Sequence, residues 1–256
     1  MRKFLGDSVK KAMQASGLTK EELAYRVLPI FLLDIIKRYL RVTISGIENI
    51  PTSGPCIVIA NHSGFMGFDA LMLSYQIFRK INRIPHIITH KLWFIVPEIS
   101  VHAKKLGLIP ATFDNGLKIL KKKELLVLFP EGEEGNFKPT KYRYRLRPFR
   151  RGFVRLALTT GAPIIPAVVI GAEESNITLS QIRLAQPLLG VLIPVPLNVL
   201  PLPAKWHIRY LPPIYLEKAP EKANDIEYVT KISRHIRRQL QKDLNELLRE
   251  RKTIFL

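Results

Sequence analysis

The chain has 256 residues, 47% of them apolar, which suffices for a substantial core and one main domain with appendages. Its 40 Lys and Arg against 21 Asp and Glu give a net charge of +19, which calls for a polyanionic partner: nucleic acid, an anionic membrane or a phosphorylated substrate. One cysteine, Cys56, rules out an internal disulfide and fits a reducing compartment.

The N-terminus, "MRKFLGDSVKKAMQ", has neither an apolar h-region nor a small-residue cleavage site, so a secretory signal is not expected. Residues 1–40 read as a helical, membrane-associating appendage. Within it "VLPIFLLDIIKRYL" (27–40) has helical character, but Asp34, Lys37 and Arg38 interrupt it well short of the roughly 20 apolar residues of a membrane span. A buried or interfacial helix is expected there.

From residue 41 to 256 short apolar runs alternate with amphipathic stretches. Strands are expected at 55–60, 84–89, 124–129, 163–170 and 206–211, and helices at 69–78, 114–122, 152–160 and 224–251. Runs that are apolar on both faces, separated by helices of about ten residues, indicate an α/β fold: a largely parallel or mixed sheet flanked by helices. Between the third and fourth strands lies "KPTKYRYRLRPFRR" (138–151), with seven Lys and Arg. If extended, it would place Lys141, Arg143, Arg145 and Arg147 on one face and Tyr142, Tyr144 and Leu146 on the other. Residues 184–204, "LAQPLLGVLIPVPLNVLPLPA", carry no charge, yet Pro187, Pro194, Pro196, Pro201 and Pro203 forbid a spanning helix. An apolar loop on a bilayer or lining a lipid tunnel is expected, against the alternative of a loop packed on the core.

Three strand ends carry candidate chemistry. In "IANHSGFMGFDA" (59–70), His62 follows a strand and Asp69 opens a helix. Ligands of α/β folds gather at the carboxyl ends of strands. By residue type alone, Asp69 could equally be a helix cap and His62 a hydrogen-bonded structural residue. "LVLFPEGEEG" (126–135) ends in a Pro-Glu-Gly turn, and "APIIPAVVIGAEES" (162–175) is a third strand and turn. His86 and His90 lack the glutamate of H-E-x-x-H and a third ligand, so no metal is expected. Neither a Walker loop nor G-x-G-x-x-G occurs.

In order, Asn61, His62 and Asp69, then Phe129, Pro130, Glu131 and Gly132, then Pro163 and Pro166, resemble the motifs of the glycerolipid acyltransferase family, which includes the lysophosphatidate acyltransferases. The resemblance covers roughly residues 41–216. It implies an O-acyltransferase that moves a fatty acyl group from acyl-CoA or an acyl carrier protein, as substrate rather than cofactor, to a hydroxyl of a lysophospholipid or neutral glycerolipid. His62 would be the general base and Asp69 the group that fixes its tautomer. The thioester is already activated, so no serine nucleophile is required, and the chain has no G-x-S-x-G elbow. Backbone donors for the oxyanion would come from the 130–132 turn or from the glycines of the 62–69 loop.

The acceptor would lie against Phe129, Pro130, Glu131, Gly132 and Glu134. Arg143, Arg145 and Arg147 would bind phosphates of the donor or of a headgroup. The protein would sit peripherally on anionic lipids at a cytosolic face. Two departures from the family pattern stand out. Six residues rather than four separate His62 from Asp69, and Gly64 and Gly67 could let the longer loop bulge. The family's phosphate-linked arginine two residues after Phe-Pro-Glu-Gly is here Glu134, and the position of a second falls at or near Phe113. Both favour an uncharged acceptor, as in the diacylglycerol-acyltransferase-like branch. The rival reading is a basic nucleic-acid- or anionic-membrane-binding protein without catalysis, the former using the basic, tyrosine-interleaved run; it ranks second, and no nucleic-acid partner is expected.

Overall fold

The computed structural model describes residues 19–63, 67–184, 186 and 192–255. A helix that starts at Lys20 passes through a π-helical turn, Leu23–Val27, into α1, Leu28–Tyr39. β1 (Thr43–Ser45) and β2 (Cys56–Ala60) lead into α2 (Phe68–Ile81), β3 (Pro85–Thr89) and α3 (Pro97–Lys105). Next come β4 (Leu108–Pro110), α4 (Phe113–Lys121), β5 (Leu125–Leu128) and the single turn α5 (Glu133–Asn136). α6 (Gly152–Thr160), β6 (Ile164–Ile170) and the short α7 (Ala172–Ser175) are followed by β7 (Thr178–Ile182), β8 (Ile193–Pro196), β9 (His207–Tyr210) and α8 (Ile226–Glu250).

Seven strands form one sheet in the order β1-β9-β6-β2-β5-β3-β4. The block from β6 to β4 is parallel throughout, β9 runs antiparallel to β6, and β1 is parallel to β9. The sheet is therefore mixed, with a parallel centre. Helices cover both of its faces, which explains the unbroken apolar runs: all five residues of β2 are buried. Cys56, Val58 and Ala60 share a cluster with Met72, Leu73 and Ile77 of α2, while Ile57 and Ile59 share one with Phe153, Val154 and Leu156 of α6. α8 closes the second face with Val229, Ile236, Leu240, Leu244 and Leu247, spaced to keep one side of the helix inward.

α1 lies on the first face through Leu33 and Ile36, but it contains no fully buried residue, and Phe31 and Leu32 are 59% and 54% exposed. Asp34, anomalous in so apolar a helix, accepts from the Tyr75 hydroxyl. Residues 1–18 of the expected appendage lie outside the described residues. Among those described, no helix is long and apolar enough to cross a membrane.

The uncharged 184–204 segment is not one continuous loop. Ile193–Pro196 pairs antiparallel with Thr178–Ile182 in a separate two-stranded ribbon, where Pro194 and Pro196 are tolerated because a ribbon needs few ladder donors. Leu192 and Ala204 are buried, whereas Leu184 and Leu200 are 92% and 83% exposed, so the segment divides into core-packed and outward-facing parts. Residues 185 and 187–191 lie outside the described set.

Candidate active site

His62 stands just past the end of β2, beside the end of its parallel neighbour β5. Where the β2–β6 ladder stops, Asn61 continues it with its side chain: Nδ2 donates to the Val169 carbonyl at 2.9 Å, and the Val169 N–H donates to Oδ1 at 2.7 Å. That clamp fixes the strand end from which His62 projects. Gly67 precedes α2 with φ +69°, a conformation that side chains with a Cβ rarely adopt, and it turns the chain so that Asp69 faces back toward β2. Gly64, the other glycine expected to shape this loop, lies outside the described residues.

The imidazole Nδ1 of His62 lies 2.7 Å from Asp69 Oδ2, so the six-residue separation does not part them. The same oxygen accepts from the Ser63 N–H at 2.7 Å, and Oδ1 accepts from the Ala70 N–H at 2.8 Å. Asp69 is thus both a helix-start acceptor and the partner of the histidine. Its side chain is fully buried, whereas that of His62 is 16% exposed. A carboxylate only accepts, so Nδ1 carries a ring proton, and in the neutral imidazole Nε2 has the lone pair. No partner holds Nε2 among the described residues. The Phe129 ring stacks on the imidazole with centroids 4.2 Å apart, walling one side of it.

Glu131 was expected at the acceptor, but its carboxylate is buried and serves the backbone. Oε1 accepts from the His62 N–H at 3.0 Å, and Oε2 accepts from the Arg147 N–H at 2.6 Å. Lys138 Nζ lies 3.8 Å from Glu131 Oε2 and 3.0 Å from Glu173 Oε1, an ammonium enclosed between two buried carboxylates. Burial pushes the Glu173 carboxyl up to about 7, with Lys138 pulling the other way. Gly135 makes this packing possible, because a Cβ there would stand 2.4 Å from Glu131 Cβ. Lys138 and Glu173 went unnoticed in the sequence; the only signal was that both lie beside strand-end turns already singled out.

Three further members of the expected acceptor set are otherwise engaged. Pro130 is buried and its carbonyl accepts from the Arg150 N–H at 2.8 Å; the Gly132 N–H donates to the Phe129 carbonyl at 3.0 Å, which removes it as an oxyanion donor. Glu134 is held by the Arg183 fork, Nη1 to Oε1 at 3.1 Å and Nη2 to Oε2 at 2.9 Å. Its neighbour Glu133 accepts from the Leu192 N–H at 3.0 Å and Gln186 Nε2 at 3.1 Å, so the short α5 fastens the β7–β8 ribbon to the site. His86 pairs with Glu124 at 2.9 Å. Among the described residues, no three His, Cys, Asp or Glu side chains cluster as a metal site.

Comparison with known proteins places the chain in a family. Residues 41–170, just over half the chain, match the family model described as Acyltransferase. The chain belongs to the acyltransferase family. An uncharacterized protein of Mycobacterium leprae is 35% identical over 238 residues, covering 88% of this chain and 65% of that protein. The chain therefore spans about 65% of the length of the mycobacterial relatives it matches. A chloroplastic 1-acyl-sn-glycerol-3-phosphate acyltransferase of Brassica napus is 25% identical over 147 residues, 53% of this chain and 39% of that one. The crystal structure of the 1-acyl-sn-glycerophosphate acyltransferase of Thermotoga maritima matches with a TM-score of 0.56 at 18% identity, over 98% of this chain and 90% of that one, a likeness of fold.

The basic run of the chain is not a strand. Thr140–Tyr142 is a 3-10 turn and Tyr144 is left-handed, with φ +62°. Side chains rather than a neighbouring strand satisfy its backbone: Glu173 accepts from the Tyr144 N–H, Gln241 Nε2 donates to the Tyr144 carbonyl, and Gln241 Oε1 accepts from the Leu146 N–H. The alternation survives only in part. Tyr144 and Leu146 are buried and Lys141, Arg143 and Arg145 exposed, but Tyr142 is exposed as well. The Arg147 guanidinium lies over the Tyr142 ring at 5.2 Å, apart from the groove that Arg143 and Arg145 line.

Proposed function

We propose that this chain transfers a fatty acyl group from a thioester donor, acyl-CoA or an acyl carrier protein, to a glycerolipid hydroxyl, with His62 as the general base. The observation that carries this reading is the 2.7 Å contact between His62 Nδ1 and buried Asp69, which leaves Nε2 as the basic atom in a partly open corner at the carboxyl ends of β2 and β5. The acceptor O–H gives its proton to Nε2 as its oxygen attacks the thioester carbonyl. Asp69 stabilises the imidazolium that forms. The tetrahedral intermediate then collapses, the C–S bond breaks, and the Nε2 proton passes to the departing thiolate.

For the acceptor we propose an uncharged glycerolipid or other neutral alcohol. The relative from Brassica napus is named for a phosphorylated acceptor. In this chain Glu134 occupies the position of a phosphate-linked arginine, and Arg183, the cation nearest to it, is committed to Glu134 by two hydrogen bonds. A phosphate would have to break that pair or meet the carboxylate directly.

We further propose peripheral attachment to anionic bilayers. Phe31 and Leu32 of α1 and Leu197 and Leu200 are outward apolar residues, and the end of α1 is tied to the second segment by a hydrogen bond from the Tyr39 hydroxyl to the Pro201 carbonyl at 2.9 Å. The net charge of +19 favours anionic lipid. High salt should release the protein from anionic vesicles only in part, because apolar insertion is not screened.

Thiol release from acyl-CoA by the purified protein, measured with monoacylglycerol, diacylglycerol or lysophosphatidate, tests the function. Acceptor-dependent release with a neutral acceptor preferred is the expected result. A preference for lysophosphatidate overturns the acceptor assignment, and release independent of any acceptor overturns transfer in favour of hydrolysis.

A further inference from the structure

An open groove of about 520 Å³ runs between the basic run and α8. Lys141, Arg143 and Arg145 line one side, Gln241 and Asn245 the other, and Tyr144 the floor; no carboxylate is among the lining residues. The two arginines differ from most others in the chain. Arg155, Arg183, Arg209, Arg237 and Arg251 all donate to protein acceptors, whereas the guanidinium groups of Arg143 and Arg145 have no partner among the described residues.

Their placement is built in. Tyr144, between them, is held left-handed with its ring buried, its N–H on Glu173, its hydroxyl on Glu174 and its carbonyl on Gln241. A left-handed, non-glycine residue is strained and persists only when its surroundings over-determine it. Here Glu173, Glu174 and Gln241 do so, and the result directs two cationic side chains to one rim. Gln241 also donates to Asn245 Oδ1 at 3.0 Å, which leaves the Asn245 amide donors unused among the described residues.

We propose that this groove binds the phosphorylated nucleotide end of the coenzyme A donor, an assignment that rests on the acyl-transfer reading above. Its volume lies within the few hundred to a thousand Å³ of small-molecule sites, more than a lone phosphate needs. Three cations and an amide suit several phosphates on one molecule, with no carboxylate among the lining residues to repel them. The groove is coupled to the reacting corner: Arg147, two residues after Arg145, donates its N–H to Glu131, which holds the His62 N–H.

The probe is adenosine 3′,5′-bisphosphate, titrated calorimetrically into the full chain with adenosine as the control. The bisphosphate should bind and adenosine should not. Arg143→Ala with Arg145→Ala should weaken binding by about tenfold or more, the scale of lost charge-assisted hydrogen bonds, with the thermal unfolding midpoint unchanged. Asn245→Ala, which removes no charge and leaves the Tyr144 anchors in place, should weaken it less. In the assay the double arginine variant should raise KM for acyl-CoA about tenfold, and should not raise it for acyl-pantetheine, which lacks the nucleotide. Bisphosphate binding that ignores the arginines, or a variant effect confined to the acceptor KM or to anionic vesicles, overturns the assignment and makes the groove a headgroup site. Arginine-dependent binding by a protein without transferase activity upholds the groove while removing the reaction.

Discussion

The loop after β2 and the turn after β5 grip the same histidine in different ways. Asp69, seven residues further along, takes the imidazole Nδ1; Glu131, 69 residues away, takes the main-chain N–H. The first contact sets which nitrogen is basic, and the second sets where the residue stands. Asp69 is satisfied by backbone and ring donors in its own loop, whereas Glu131 depends on the distant Arg147 N–H and on Lys138, which also pairs with Glu173. The imidazole contact is local in sequence, and the main-chain contact is long-range and rests on buried charge. Removing one partner from such a buried set typically costs about 3–5 kcal/mol, because the remaining charge is left uncompensated.

Substitutions should separate the two grips. Asp69→Asn keeps the shape but offers Nδ1 an amide, and should slow acceptor-dependent thiol release by about 10³–10⁴-fold, the scale of a lost tautomer partner. Glu131→Gln leaves the imidazole pair intact and should lower kcat by roughly 10²-fold through misplacement, together with a lower unfolding midpoint. One side-chain amide cannot accept from the His62 and Arg147 N–H groups with both of its ends, and the buried Lys138 keeps only Glu173. If the Gln variant were slow yet fully stable, positioning would not rest on buried charge. Gly135→Ala forces its Cβ against Glu131 Cβ at 2.4 Å and Cδ at 2.8 Å, and should cost about 1–3 kcal/mol in denaturant unfolding.

The smallest effect concerns pH. Glu173 titrates near 4.5 when unfolded and near 7 when folded, so between those values the folded protein keeps a proton that the unfolded chain has released. Its contribution to stability is then greatest below pH 4.5, falls as pH rises to about 7, and is level above. The unfolding free energy of the wild type relative to Glu173→Gln should decline across that window, and a flat difference would contradict the raised carboxyl.

The parallel centre of the sheet was legible because burial on both faces leaves an unbroken apolar run, as in Cys56–Ala60 and Ile164–Ile170. α6 was found with both ends, 152 and 160, since Gly161 with φ +73° ends it sharply. β1 and β4, three residues each, carry too little periodicity to detect. His62 and Asp69 could be paired through their motif, but their contact could not be read, because the loop geometry that joins them is tertiary. Lys138 and Glu173 look like solvated charges in the sequence; only the fold shows that they are buried against each other. The basic run misled for a related reason, since its backbone is satisfied by Gln241 and Glu173 from distant elements rather than by a strand.

The most direct test of His62 as the base is the rate of acceptor-dependent thiol release from acyl-CoA by His62→Ala, measured beside its thermal unfolding. A fall of about 10⁴-fold, at least as deep as that of Asp69→Asn, with an unchanged unfolding midpoint is the predicted result. A variant that turns over at close to the wild-type rate would contradict it.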